Sequence, residues 1–84
     1  MIDHEKNLRK AIELSKQSID SGSSPFGCVI VDAEGKIVGE GHNRVAPDND
    51  PTAHGEIVAI RNACRNLGTF DLSGCILYTS CEPC

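Results

Sequence analysis

Tryptophan is absent from this sequence, and aromatic side chains are scarce, since its 84 residues include one Tyr and two Phe. No apolar run approaches the roughly 18 residues that a membrane-spanning helix requires. Residues Met1–Lys6 are polar and lack the apolar segment of a signal peptide. We therefore expect a cytoplasmic protein that has no membrane partner.

Basic residues are also few: eight Lys and Arg stand against twelve Asp and Glu, which gives a net charge of −4 at pH 7. Such a chain has no overall electrostatic attraction to nucleic acid, which disfavours a nucleic-acid partner but leaves tRNA open as a substrate. An odd number of cysteines without a secretion signal argues for reduced thiols and against a disulfide framework. The five cysteines are Cys28, Cys64, Cys75, Cys81 and Cys84.

The length allows one domain at most, and hydrophobic periodicity divides it into five elements in the order α-β-β-α-β. The expected elements are a helix over 3–21, strands over 26–32 and 36–42, a helix over 50–67 and a strand over 75–79. Asp3 is a candidate N-cap, and Asp32-Ala33-Glu34-Gly35 predicts a β-hairpin turn. Gly39 and Gly41 indicate a bulge or a close backbone approach in the second strand.

The second helix has the clearest start and stop signals. Asp50 is expected to be its N-cap, Pro51 its first residue and Gly68 its end, after a loop over 46–50. The helix spacing predicts a core face of Ile57, Ile60, Cys64 and Leu67. In the first helix, the residues that fall near one apolar face are Leu8, Ala11, Ile12 and Ile19. Cys28, Cys64 and Cys75 are interpreted as small buried apolar residues.

Two short motifs carry possible chemistry. His54-Gly55-Glu56 is a His-x-Glu, and the sequence ends on Pro83-Cys84. Together they form most of H-x-E…P-C-x-x-C, the signature of zinc-dependent deaminases. A catalytic zinc is held by three protein ligands and keeps one position for water, and histidine and cysteine are suitable ligands.

Other stretches occur around these motifs in a characteristic order. They are Pro25–Val31, Gly41–Val45, Asn49–Glu56 and Ala59–Arg61. With this set, the chain resembles the purine deaminase branch of the cytidine deaminase-like superfamily. The small bacterial guanine deaminases are the most similar group, and the tRNA adenosine deaminases are next. The resemblance covers nearly the whole sequence.

The resemblance implies an α/β fold, a three-layer α/β/α sandwich of which residues 1–84 supply the N-terminal α-β-β-α-β part. It implies a partial zinc-dependent deaminase domain, truncated inside the PCxxC motif, because the second cysteine of that motif would stand beyond Cys84. It also implies Zn²⁺ held by His54 and Cys84, with Glu56 as the general acid and base. Asn43 and Phe26 match positions that contact the purine, and the complete protein is expected to be a homodimer.

Three alternatives stay open at this point. Cys81 and Cys84 form a C-x-x-C, so His54, Cys81 and Cys84 are a second possible ligand set. The function that the resemblance implies is hydrolytic deamination of guanine to xanthine and ammonia, with tRNA adenosine deamination as the alternative. A third possibility is a catalytically inactive fragment, since one zinc ligand is missing from the motif.

Overall fold

Six elements follow one another in a computed structural model that describes residues 2–20, 22 and 24–81, with Cys81 described through its backbone alone. The elements are α1 (His4–Asp20), β1 (Phe26–Val31), β2 (Ile37–His42), α2 (Val45–Asp48), α3 (Gly55–Leu67) and β3 (Ile76–Cys81). The predicted α-β-β-α-β order is confirmed, with one short helix added. No helix in this part of the chain is long and apolar enough to cross a membrane.

The three strands form an antiparallel sheet in the order β2-β1-β3. β1 lies in the centre and is buried on both faces beyond Phe26, as its continuous apolar run predicts. The predicted hairpin turn between β1 and β2 is confirmed, with Gly35 at φ 87°. The register shifts by one residue at Val38, which is the extra residue of a β-bulge in β2.

Alternate residues of β1 enter two separate cores because successive strand residues point to opposite faces. One core, under α1, contains Ala11, Leu14, Val29, Val31 and Tyr78. The other, under α3, contains Cys28, Ile30, Val38, Ala59 and Ala63. The arrangement is α1, sheet, α3, which confirms the three layers expected from the sequence.

The side chains that α3 buries differ from the prediction. Ile57, Ile60 and Leu67 are more than a third exposed, and the buried residues of the helix are Gly55, Ala59 and Ala63. Glycines on β2 explain this difference. A Cβ atom on Gly39 would lie 2.6 Å from the Ala59 oxygen, and one on Gly41 would lie 2.6 Å from the Ala59 nitrogen. The predicted close approach is therefore confirmed, and on the buried face of α3 it leaves room only for glycine and alanine.

The same correction applies to α1. Leu8, Ile12 and Ile19 are exposed, whereas Ala11 is buried as predicted. Gly27 allows the close packing, since a Cβ atom there would lie only 2.1 Å from the Ala11 oxygen. The N-cap prediction is confirmed, because the Asp3 carboxylate accepts a hydrogen bond from the Lys6 N–H at 3.0 Å. Among the cysteines expected to be buried, Cys28 is buried, and Cys64 and Cys75 are partly buried.

The segment before α3 also differs from the prediction. Residues 45–48 form the short helix α2 instead of a loop, and α3 begins at Gly55 with His54 as its N-cap residue. The Asp50 side chain does not cap α3. It accepts the Thr52 N–H at 2.9 Å in a local turn of the kind that aspartate commonly forms. The predicted end of α3 is confirmed at Gly68, which is left-handed with φ 69°.

Candidate functional site

The candidate site lies where the start of α3 meets the adjoining ends of β1 and β2. The Asn43 N–H donates to the Phe26 carbonyl oxygen at 3.3 Å, which joins the two strand ends. A Cβ atom on Gly55 would lie 3.6 Å from that oxygen and 3.7 Å from the Asn43 nitrogen. The fold therefore brings the backbones of Phe26, Asn43 and the His54–Glu56 motif together, although they are far apart in sequence.

His54 stands at the boundary between an extended segment and α3. Its backbone is extended, with φ −69° and ψ 155°, and its carbonyl accepts the Val58 N–H at 2.9 Å in the first turn of the helix. The exposed imidazole makes no capping hydrogen bond. A ring nitrogen on an exposed residue of this kind is a suitable donor to a metal ion.

Glu56 lies in the first turn of α3 and is exposed. A carboxylate there is stabilised by the positive end of the helix dipole. His54 is just outside the regular helix and Glu56 is inside it, so the two side chains are not constrained to opposite helical faces. Within a regular helix, a spacing of two residues would not place both side chains on one face. The position of His54 outside the helix removes this restriction.

Cys28 lies in the core, and the negative charge of Glu56 acts on its thiol. Burial, with a smaller contribution from the Glu56 carboxylate, raises the pKa of the Cys28 thiol to about 12. The thiol therefore stays neutral at physiological pH. Because metal ligation requires the thiolate, this cysteine is a core residue and a poor zinc ligand.

Asn43 is held firmly by its surroundings. It is 7% exposed, and its Oδ1 accepts the Val45 N–H at 3.1 Å, which starts α2. Its carbonyl oxygen accepts the Ser18 hydroxyl at 3.3 Å. Within the described residues its Nδ2 makes no hydrogen bond, so the two N–H groups on this nitrogen are available to a ligand. The neighbouring Phe26 side chain is 43% exposed and is therefore not fully absorbed in the core.

The sequence analysis missed a polar network that precedes His54. Asp50 accepts the Thr52 hydroxyl at 2.7 Å, and Arg61 of α3 donates to the same Thr52 oxygen at 3.1 Å. Hydrogen bonds from Thr52 hold the pKa of the Asp50 carboxyl below its ordinary value. The signal was present in Asp50-Pro51-Thr52, because aspartate two residues before an N–H donor is typical of such a turn.

The predicted metal ligands are described only in part. His54 is present in the site, whereas Cys84 and the side chain of Cys81 lie outside the described residues. Across residues 2–20, 22 and 24–81, no group of three His, Cys, Asp or Glu side chains could hold a metal ion. His54 fits the nitrogen donor that a zinc site requires, and the choice between the two cysteine registers stays open.

Comparison with known proteins matches the whole chain, residues 1–84, to the family described as the cytidine and deoxycytidylate deaminase zinc-binding region. The guanine deaminase of Bacillus subtilis is 51% identical over 84 residues, covering 99% of this chain and 53% of that protein. The tRNA-specific adenosine deaminase of Aquifex aeolicus is 46% identical over 77 residues, covering 92% of this chain and 50% of that protein.

Solved structures agree with these matches. The X-ray structure of the Bacillus subtilis guanine deaminase matches with a TM-score of 0.87, and the match covers 99% of this chain and 53% of the guanine deaminase chain. A structure of the protein NE0047 in complex with 2,6-diaminopurine has a TM-score of 0.85 at 33% identity, covering 100% of this chain and 48% of its own. The chain spans about half the length of the curated relatives it matches. Because the family match extends over every residue, the chain belongs to the cytidine and deoxycytidylate deaminase zinc-binding family.

Proposed function

We propose that the protein containing this chain is a zinc-dependent hydrolase that deaminates guanine to xanthine and ammonia. The observation that carries the proposal is the convergence of Phe26, Asn43 and the His54–Glu56 motif at the start of α3. The similarity to the Bacillus subtilis guanine deaminase supports guanine among the bases that this family could accept.

In this proposal, the residues of the chain have distinct roles in the reaction. His54 and Cys84, with a further ligand, would hold the zinc, which when bound would supply Lewis-acid activation of the attacking water. Glu56 takes a proton from that water and delivers protons to the ring nitrogen and to the departing amino group. Water and guanine thereby give xanthine and ammonia, and no other reactant is required.

The proposed substrate contacts use groups that the fold leaves accessible. Asn43 is fixed through its oxygen, so its amide N–H groups can donate to an acceptor on the purine edge. The partly exposed Phe26 ring offers an apolar surface against which a purine can pack. A contact made equally in the ground state and the transition state affects KM and not kcat, so we expect Asn43→Ala to raise KM for guanine more than it lowers kcat.

A direct assay tests the proposed reaction. The complete gene product is incubated with guanine, and xanthine and ammonia are measured. Glu56→Gln is expected to lower kcat by about 10²–10⁴-fold, as loss of a general acid and base does. Glu34→Gln is the matched control, since Glu34 is exposed in the β1–β2 turn. Equal losses in both variants would contradict the role of Glu56.

The tRNA adenosine deaminase function is the second candidate, because the Aquifex aeolicus enzyme is 46% identical over 77 residues. The same assay includes a tRNA anticodon stem-loop beside free guanine. Turnover of the stem-loop alone would replace our first proposal with the second. If neither substrate reacts and no zinc is retained after dialysis, the inactive alternative is correct.

We also propose a homodimer and a cytoplasmic location. The dimer is implied by resemblance, and sedimentation of the complete protein tests it directly. The location is supported by the three free thiols of Cys28, Cys64 and Cys75, which suit a reducing compartment. Fractionation of the producing cells tests the location.

A further inference from the structure

Three polar side chains join the segment before His54 to the second turn of α3. The Asp50 carboxylate accepts the Thr52 N–H at 2.9 Å and the Thr52 hydroxyl at 2.7 Å through one oxygen. Its other oxygen lies 3.5 Å from an Arg61 nitrogen. The second nitrogen of the Arg61 guanidinium donates to the Thr52 hydroxyl at 3.1 Å. We call Asp50, Thr52 and Arg61 the loop clamp.

The loop clamp reaches His54 through the backbone. The Thr52 carbonyl accepts the His54 N–H at 2.9 Å, and the Asp50 carbonyl accepts the Ala53 N–H at 3.1 Å. The Ala53 carbonyl in turn accepts the Arg44 N–H at 2.8 Å, and the Ala53 side chain is buried. The backbone at His54 is therefore fixed from the preceding loop and from the helix that follows.

His54 depends on this backbone for its orientation. The imidazole makes no capping hydrogen bond of its own and is exposed. Without the loop clamp, the segment before α3 would keep its backbone hydrogen bonds but lose its side-chain contacts to α3, and we expect the position of His54 to vary more. Holding a ligand in its binding orientation lowers the conformational entropy that is lost when the ligand binds.

We propose that Asp50, Thr52 and Arg61 are positioning residues that hold the His54 imidazole ready for its metal. This inference rests on the proposed function, because it assumes that His54 is a zinc ligand. The contrasting explanation is a surface ion pair that contributes little to stability, since Arg61 and Asp50 side chains are 52% and 37% exposed. The two explanations differ in what a substitution changes: metal retention in the first case, nothing measurable in the second.

The geometry of the Arg61 guanidinium suggests a substitution that removes the clamp contacts without removing the charge. Arg61 contacts two different residues of the clamp with its two terminal nitrogens, and the single ammonium group of lysine has no such fork. Arg61→Lys therefore keeps the charge and removes the double contact. Thr52→Ser keeps the hydroxyl that the clamp uses, whereas Thr52→Val keeps the shape and removes the hydroxyl.

The first experiment measures the rate at which zinc leaves the complete protein in excess chelator. We expect Asp50→Ala, Arg61→Lys and Thr52→Val to lose zinc about 10–100-fold faster, which matches the factor by which loss of such orienting groups weakens metal affinity. Thr52→Ser is expected to restore a rate close to that of the unsubstituted protein. Asp48→Ala is the matched control, because Asp48 forms a similarly exposed ion pair with Arg44 at the neighbouring helix α2.

A second measurement separates this inference from the proposed function. Hydrogen exchange at the Ala53 and His54 amides of the metal-free protein is expected to be at least about 10-fold faster in Arg61→Lys and unchanged in Asp48→Ala. If the unsubstituted protein holds zinc and deaminates a base but the clamp variants match it in both measurements, the positioning role is wrong. If the unsubstituted protein holds no zinc, the metal role of His54 and this inference fall together, whatever the exchange rates.

Discussion

The two outer strands of the sheet, β2 and β3, differ in how closely they are covered. β2 is covered closely by α3, whose backbone lies against Gly39 and Gly41. Two α3 side chains also donate to carbonyl oxygens of β2: Asn62 to Glu40 at 2.8 Å and Asn66 to Val38 at 2.9 Å. β3 has an apolar groove of about 230 Å³ beside it, open to solvent in the part of the chain described. The residues that line the groove are Ile30, Ile60, Leu72, Cys75, Ile76 and Leu77.

This difference shows which part of the sheet determines the candidate site. His54 and Glu56 stand at the start of α3, and α3 is anchored mainly on β2 and the centre of the sheet. Tight backbone packing on that side leaves the helix few alternative positions. We therefore expect the site to be sensitive to changes beside β2 and tolerant of changes on the exposed surface of β3.

The largest expected effect comes from the core between these two regions. Ile30 is buried under α3, and Ile30→Ala is expected to lower the free energy of unfolding by about 3 kcal/mol. Leu77 lines the same groove but is 46% exposed, so Leu77→Ala is expected to cost less than about 1 kcal/mol. Urea unfolding of both variants checks the pair. Equal losses would mean that the groove beside Leu77 is covered in solution.

Gly41→Ala tests the close approach of α3 to β2. The new methyl group would lie 2.6 Å from the Ala59 nitrogen and 2.8 Å from the Gly55 oxygen, both of them backbone atoms. We expect a loss of about 2 kcal/mol or more, because the helix has to shift to relieve the overlap. Urea unfolding gives the loss, and Gly41→Ser should behave in the same way. A neutral result would show that α3 packs less closely than described.

The asparagine bonds to β2 are expected to have a smaller effect. Val38 is the extra residue of the bulge, and Asn66→Ala removes the donor to its carbonyl at a cost of about 1 kcal/mol. Asn62→Ala is expected to be similar. Arg65→Ala, between them on an exposed part of α3, is the control and should change stability little. Two neutral asparagine variants would show that water replaces these donors without loss.

The buried thiol of Cys28 makes the stability of the fold depend on pH. Because burial and the nearby Glu56 raise the pKa of Cys28 to about 12, the folded state holds this proton more tightly than the unfolded chain. The resulting stability is fully present below about pH 9 and is lost as pH rises toward about 12. Cys28→Ala is expected to remove this part of the pH dependence. At pH 8, a thiol reagent should modify the partly buried Cys75 before Cys28, and the reverse order would contradict the burial described.

The order of the main elements could be predicted from the sequence because each has its own local signal. The apolar run of β1, the Asp32–Gly35 turn and Gly68 after α3 act through contacts or dihedral angles within a few residues. The faces of α1 and α3 could not be predicted in the same way. Large apolar residues normally indicate the core face, but here glycines on the neighbouring strands bring the helices so close that alanine occupies it.

In the candidate site, too, local features could be predicted from the sequence and long-range contacts could not. The motif containing His54 and Glu56 is local and could be recognised directly. The role of Asp50 could not be predicted with the same certainty, because an aspartate before proline satisfies both a helix cap and a local turn. Arg61, nine residues after Thr52, donates to the Thr52 hydroxyl and so favours the turn, and that contact exists only once α3 has folded.

Gly55→Ala should give the smallest effect, opposite in sign to that of Gly41→Ala. Gly55 has no positive φ, and a Cβ atom there would meet nothing closer than 3.6 Å, which is ordinary van der Waals contact. Alanine favours the helix by up to about 1 kcal/mol over glycine, so we expect Gly55→Ala to stabilise the metal-free protein by about 0.5 kcal/mol. Thermal unfolding of Gly55→Ala and Gly41→Ala under the same conditions measures both signs. A destabilised Gly55→Ala would mean that the start of α3 lies closer to Phe26 and Asn43 than the structure shows, and that the candidate site is correspondingly tighter.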